Sequence, residues 1–275
     1  MKPVNFDYAR PSEVASAIRY LAQDGVSAKI IAGGQSLGPM LNMRLVQPDL
    51  IVDITAIEEL RSVQDRSDAI VIGACVSHSD IEDRRVPDVT RGAMASVASG
   101  IAYRAVRNRG TIGGSLTHAD PSADWISILA ALGADVTLNG SGGSRTIAVE
   151  NYMVGALEAD IAQSELLVSI TVPKLSASAR WGYYKSCRKT GEFAHAIGAF
   201  LTDPDRGVSR AVIGATETRP FVMTDAAALI GDGRNPERVF DQDAVGRLCE
   251  SLGMTDPIDR QTHVVALRRA IERAH

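Results

Sequence analysis

Two stretches of the chain, AGGQSL at 32–37 and IGGSL at 112–116, each set a glycine pair just ahead of Ser-Leu. Glycine takes positive φ without strain and lets a ligand approach the main chain with no Cβ in the way. The first pair ends a short apolar run, AKII, that reads as a buried strand; the second follows a segment from Val89 to Val106 that reads as helix. Each turn can present successive amides and a serine hydroxyl to a phosphate, and two such turns suit a pyrophosphate. Taken singly, either pair reads first as a tight turn in a glycine-rich chain, with 24 glycines in 275 residues, and it is the repetition that points to a ligand.

The first turn also fits another pattern. Gly34-Gln35-Ser36-Leu37-Gly38 matches the G-x-S-x-G nucleophile elbow, which would make Ser36 the nucleophile of a serine esterase. An elbow belongs in the middle of an assembled parallel sheet, however, and only one convincing strand precedes Ser36. No HGGG-type oxyanion loop precedes it either. The context therefore argues against an esterase.

The remaining pattern is a mixed one. An amphipathic helix is expected over 11–24 and strands over 50–55 and 69–76, with a further helix over 121–133 opened by Pro121. A hairpin around 140–143 and a strand over 165–173 follow, then three strand-like segments with meander spacing and helices to the end. In THADPSAD, Asp120 or Ser122 is expected to cap the helix begun by Pro121, leaving Asp124 free to accept hydrogen bonds from ribityl or ribose hydroxyls.

Composition narrows the function. A net charge of −4 without a dominant basic run leaves no footprint for nucleic acid, and no apolar run approaches the ~20 residues of a membrane span. The three cysteines, Cys75, Cys187 and Cys249, form no C-x-x-C pair and cannot supply the four ligands of an iron–sulfur cluster. His78, His118 and His195 have no metal-ligand spacing, so no metal site is expected. A cytoplasmic protein with reduced thiols is the expectation, since no signal peptide is evident.

Taken together, KIIAGGQSLGPMLNMRLVQPDLIVDI, IAYRAVRNRGTIGGSLTHADPSADW, ELLVSITVP and YYKSCRKTGEFA resemble the FAD-binding medium subunit of molybdenum hydroxylases. That group includes the carbon monoxide dehydrogenase medium subunit and the xanthine dehydrogenase flavin domain. The resemblance implies an α+β fold: a two-lobed FAD-binding domain of the PCMH/vanillyl-alcohol-oxidase-like type (lobes 1–57 and 58–177), then a C-terminal domain (178–275) of antiparallel sheet with helices. It implies that Lys29, Ile30, Ile31, Ala32, Gly33, Gly34, Gln35, Ser36 and Leu37 grip FAD together with Thr111, Gly113, Gly114 and Ser115. Asp124 would meet the sugar portion, with Asp120 and Ser122 beside it, and His78, Ala102, Leu167 and Lys185 would also approach the cofactor. Without the resemblance, Lys185 reads as a solvated strand lysine.

The resemblance further implies an electron-transferring oxidoreductase subunit with no catalytic residue of its own, because the flavin does the redox chemistry. FAD would pass electrons from two [2Fe–2S] clusters on a small partner to an external acceptor. A large partner would hold the molybdenum cofactor, and the assembly would be a dimer of heterotrimers, a heterohexamer. A self-sufficient FAD-dependent oxidase is the alternative, disfavoured by the few aromatics available to line a substrate pocket. Gln35 and Tyr103 depart from residues common in relatives and bear on acceptor access. The acceptor and the substrate of the complex are not named by these residues.

Overall fold

The computed structural model describes residues 2–226 and 240–274. The chain opens with β1 (Asp7–Ala9), α1 (Val14–Leu21), β2 (Ala28–Ile31), α2 (Leu37–Asn42) and β3 (Leu50–Asp53). The three strands form a parallel sheet in the order β1-β3-β2. Val14, Ala17 and Leu21 recur on one face of α1 and bury against Leu50, Val52 and Ile54. Parallel strands need crossovers, which α1 and α2 supply. The loop after β2 therefore emerges at the carboxyl end of the sheet.

Next come β4 (Val63–Asp65), β5 (Ala69–Gly73), α3 (His78–Glu82), α4 (Ala93–Ser99), α5 (Arg104–Arg107), α6 (Ile112–His118) and α7 (Asp124–Leu132). They are followed by β6 (Asp135–Gly140), β7 (Gly143–Ala148), α8 (Val149–Tyr152), β8 (Met153–Gly155), β9 (Glu158–Ala159) and β10 (Glu165–Pro173). Five of these strands make an antiparallel sheet in the order β4-β5-β10-β6-β7. α7 is buried on all sides, its sequence apolar apart from Asp124 and Ser127, and packs between this sheet and the next. In β10 the register with β6 shifts between Leu167 and Ser169. Leu166 and Val168 join the core of the parallel sheet, while Leu167 and Ile170 join the second core.

The last elements are β11 (Arg180–Ser186), β12 (Ala196–Asp203), β13 (Val208–Gly214), β14 (Phe221–Met223), α9 (Gln242–Ser251) and α10 (Pro257–Arg273). The strands form the expected antiparallel meander. α10 lies on it through Val264, Leu267 and Ile271. Glycines make that contact close: a Cβ on Gly182 or Gly198 would stand 1.8 or 2.4 Å from a carbonyl oxygen of α10. The helical region expected after β14 falls partly on 227–239, outside the described residues.

Three local expectations need correction. Residues 89–106 are not one helix: α4 stops at Ser99, and Ala102 takes φ 42 before α5 starts. The second glycine pair is not a turn, since Gly113 and Gly114 lie inside α6. The helix after Pro121 begins only at Asp124, with Ala123 at its N-cap and no side-chain cap. Asp120 instead caps a turn, accepting the Ser122 N–H at 2.9 Å.

Candidate functional site

Where β2 ends, Gly34 turns the chain with φ +70 and Ser36 starts α2. Among the described residues, the N–H groups of Gly33, Gly34, Gln35 and Ser36 donate no hydrogen bond within the chain. The Gln35 amide folds back, donating to the Gly33 carbonyl at 3.0 Å. Consecutive unpaired amides around one left-handed residue form an anion-binding nest. Ser36 is exposed and has no hydrogen bond to a histidine among the described residues, so nothing activates it as a nucleophile.

The second segment is built differently. Thr111 is the N-cap of α6, its Oγ1 accepting the Gly114 N–H at 3.1 Å. The Ile112 and Gly113 amides donate to the Val76 and Ala74 carbonyls, each at 3.0 Å, and the Ser115 amide to Thr111 O at 3.0 Å. These amides are therefore committed to the fold, which corrects the expectation of two equivalent amide cradles. What remains open is the exposed Gly114 main chain and the half-buried Ser115 hydroxyl.

The first segment touches the residues that lead into the second. A Cβ on Gly33 would stand 2.0 Å from the Arg109 carbonyl oxygen and 2.8 Å from the Gly110 Cα, so only glycine permits this approach. Gly113 likewise lies against Ala74, where a Cβ would meet the alanine Cβ at 2.6 Å. Gly110 in turn seats the His78 ring, whose Nε2 lies 2.7 Å from the position its Cβ would take.

His78 is 5% exposed, and the Trp125 indole N–H donates to its Nδ1 at 3.0 Å. That bond places the ring proton of the neutral form on Nε2. Burial, helped by the nearby Arg107 charge, pulls the His78 pKa down to about 4, so the ring is neutral near pH 7.

Beside Trp125, Asp124 accepts the Tyr183 hydroxyl at 2.7 Å and Lys185 Nζ at 3.0 Å, and Lys185 also donates to the Gly100 carbonyl at 2.9 Å. Burial pushes the Asp124 carboxyl upward, against the pull of Lys185 and the hydrogen bonds it accepts. Lys185 is thus no solvated lysine: its side chain is 11% exposed and paired. Both Asp124 oxygens already have protein partners, an arrangement the expected contact to sugar hydroxyls did not include.

Arg107 holds the loop before α5, with Nη1 on the Ile101 and Ala102 carbonyls at 2.9 and 3.2 Å and its other nitrogens on Glu82. Gly191, at φ +89, presses on the same Ala102 carbonyl. A chain of direct contacts therefore links Gly33, Gly110, His78, the Asp124-Trp125 step, Lys185 and the 100–102 loop. Lys29 is exposed on β2, Ile30, Ile31, Ala32 and Leu37 are half-buried around the nest, and Leu167 sits in the core. Trp125, Tyr183, Arg107, Arg109 and Gly191 escaped the sequence reading. Only RNRGT gave a local signal, because the others act through contacts between distant elements.

Residues 4–175 match the model of a family described as the FAD binding domain in molybdopterin dehydrogenase. The chain belongs to the FAD-binding medium subunits of the molybdenum hydroxylases. It is 33% identical to the carbon monoxide dehydrogenase medium chain of Hydrogenophaga pseudoflava, over 91% of this chain and 89% of the relative. It is 31% identical to the caffeine dehydrogenase subunit beta of a Pseudomonas species, over 96% and 85%. A solved structure of reconstituted carbon monoxide dehydrogenase from Oligotropha carboxidovorans superposes with a TM-score of 0.87 at 29% identity, covering 100% of this chain and 99% of that one. This medium subunit is accordingly an oxidoreductase component with an FAD-binding domain, and its homologues are chains of multi-subunit molybdenum enzymes. No helix among the described residues is long and apolar enough to cross a membrane.

Proposed function

We propose that this chain binds FAD with its diphosphate at the Gly33–Ser36 nest and hands electrons from partner-held [2Fe–2S] clusters to an external acceptor. The observation that carries the reading is the nest itself, whose amides are unpaired and whose Gly33 packs on the Arg109-Gly110 backbone that leads into the second glycine segment. Four orphan donors ask for an anion or water, and a diphosphate carries enough oxygens to satisfy them. Ser115 and the exposed Gly114 backbone close the opposite side. FAD, when bound, supplies the capacity to accept and release electrons.

The chain's own residues do the positioning. Trp125 fixes the proton of His78 on Nε2, which makes that ring a hydrogen-bond donor at the site. Asp124, itself held by the Tyr183 hydroxyl, fixes Lys185, and Lys185 with Arg107 holds the 100–102 loop. None of these groups is arranged as nucleophile and base, in keeping with a site that orients a cofactor.

The partners follow from the same reading: a small subunit for the clusters, since this chain has too few cysteines, and a large subunit for the molybdenum cofactor, assembled as a dimer of heterotrimers. We also propose boundaries near 57 and 177. Purification of the native complex with flavin, iron and molybdenum analysis tests the whole reading. One FAD per chain and co-purifying cluster-bearing and molybdenum-bearing subunits are expected. A colourless chain, or full turnover by this chain alone, would overturn it.

A further inference from the structure

Amides supply dipoles but no net charge, whereas a diphosphate brings two negative charges or more. Two basic side chains of the site are spent before any ligand arrives: Lys185 on Asp124 and Gly100, and Arg107 on Glu82 and the Ile101 and Ala102 carbonyls. Lys29 stands four residues back along β2 from Gly33.

Arg109 differs from all three. Its carbonyl oxygen occupies the space where a Cβ on Gly33 would lie, and its Nε donates to the Gly33 carbonyl at 3.3 Å. The guanidinium is thereby drawn to the edge of the nest. Its Nη1 and Nη2 make no hydrogen bond or ion pair among the described residues, and Arg109 is the one arginine there that bonds to either glycine segment. A guanidinium offers a planar pair of donors that fits two phosphate oxygens, and it keeps its charge at every physiological pH.

The geometry points to Arg109 as the cation that neutralises the FAD diphosphate, besides bridging the two glycine segments. This inference rests on the FAD reading above. It separates two roles: a clamp holds the loops whatever its charge, while a counter-ion makes binding depend on salt.

The test uses the purified full-length chain with the subunits that accompany it, stripped of flavin and titrated with FAD across a range of ionic strength. Arg109→Gln is expected to raise the FAD Kd roughly tenfold or more at low salt, the loss of one charge-assisted phosphate contact, and to flatten the salt dependence. The apo thermal midpoint should stay near that of the parent, since the residue is exposed. Arg109→Lys keeps the charge without the planar fork, so its salt dependence should persist at weakened affinity. A Gln variant that binds FAD as tightly as the parent, or one that weakens with unchanged salt dependence, would overturn the counter-ion role. So would a Lys variant whose salt dependence flattens like that of Gln. If the parent protein binds no FAD at any salt, the FAD reading itself fails, which is a distinct result.

Discussion

The two glycine segments share their letters and almost nothing else. At Gly33-Gly34 a parallel strand runs out of its sheet, Gly34 takes positive φ, and the following amides are left without partners. At Gly113-Gly114 the chain is already helical, with its amides bonded to Thr111, Val76 and Ala74. In the first segment glycine permits a close approach and leaves amides open toward the proposed ligand. In the second it serves the approach alone, because any side chain on Gly113 would strike Ala74. Likeness of motif is therefore no measure of likeness of role; what decides is where the amides of each segment find their acceptors.

The strongest way to break this comparison is at Gly33 and Gly113, where both segments are predicted to be equally intolerant. Gly33→Ala sets a methyl 2.0 Å from the Arg109 carbonyl and Gly113→Ala one 2.6 Å from Ala74. Each should cost ~3 kcal/mol or more, read as a large fall in the urea midpoint. A near-parental midpoint would show that the segments do not pack as described.

The second segment's buttress can be probed by pH. His78 is held near pKa 4 in the folded chain against 6.5 for the free side chain, so between those values the unfolded state binds more protons. Stability should fall as pH drops from 6.5 toward 4, by up to about 3 kcal/mol. His78→Gln should remove that part of the slope. Identical pH profiles for parent and variant would mean the ring is not buried as a neutral donor.

Gly34 and Gly114 sharpen the contrast. Gly34→Ala forces an alanine to φ +70 and should cost about 1–2 kcal/mol, with a matching loss of FAD affinity in a flavin titration. A side chain at Gly114 meets no φ penalty; its Cβ would press on Thr111 Oγ1 at 2.7 Å, so the damage is to a helix cap. Thr111→Ala, removing that cap directly, should cost ~1 kcal/mol. The smallest effect is expected at exposed Ser36: Ser36→Ala should stay within about 0.5 kcal/mol of parent stability. Esterase assays on both proteins should read zero, and a hydrolase activity that vanished with Ser36 would revive the nucleophile reading.

Much of the scaffold was legible because its signals are local. The spacing of Val14, Ile18 and Leu21 marks α1, the apolar runs mark β2, β3 and β5, and the strand-like segments separated by turn residues mark the meander. Asp124 and Lys185 were singled out, yet their partnership was not, since they stand 61 positions apart and meet only when the sheet that carries β11 packs on α7. The expected cap at Asp120 or Ser122 failed for a related reason. Asp120 found a nearer donor in Ser122, and the buried start of α7 is held by packing instead.

By itself the sequence determined that the chain folds as a mixed α/β molecule, that two glycine pairs precede Ser-Leu, and that its three cysteines are too few to ligate an iron–sulfur cluster. Those are matters of composition and of periodicity over a few residues. Only the tertiary structure decided which glycine segment keeps free amides, which lysine is already paired, and which arginine stands at the edge of the nest. Hydrogen-bond donors and charges are neutralised by whatever the fold brings beside them, and those neighbours come from residues tens of positions away.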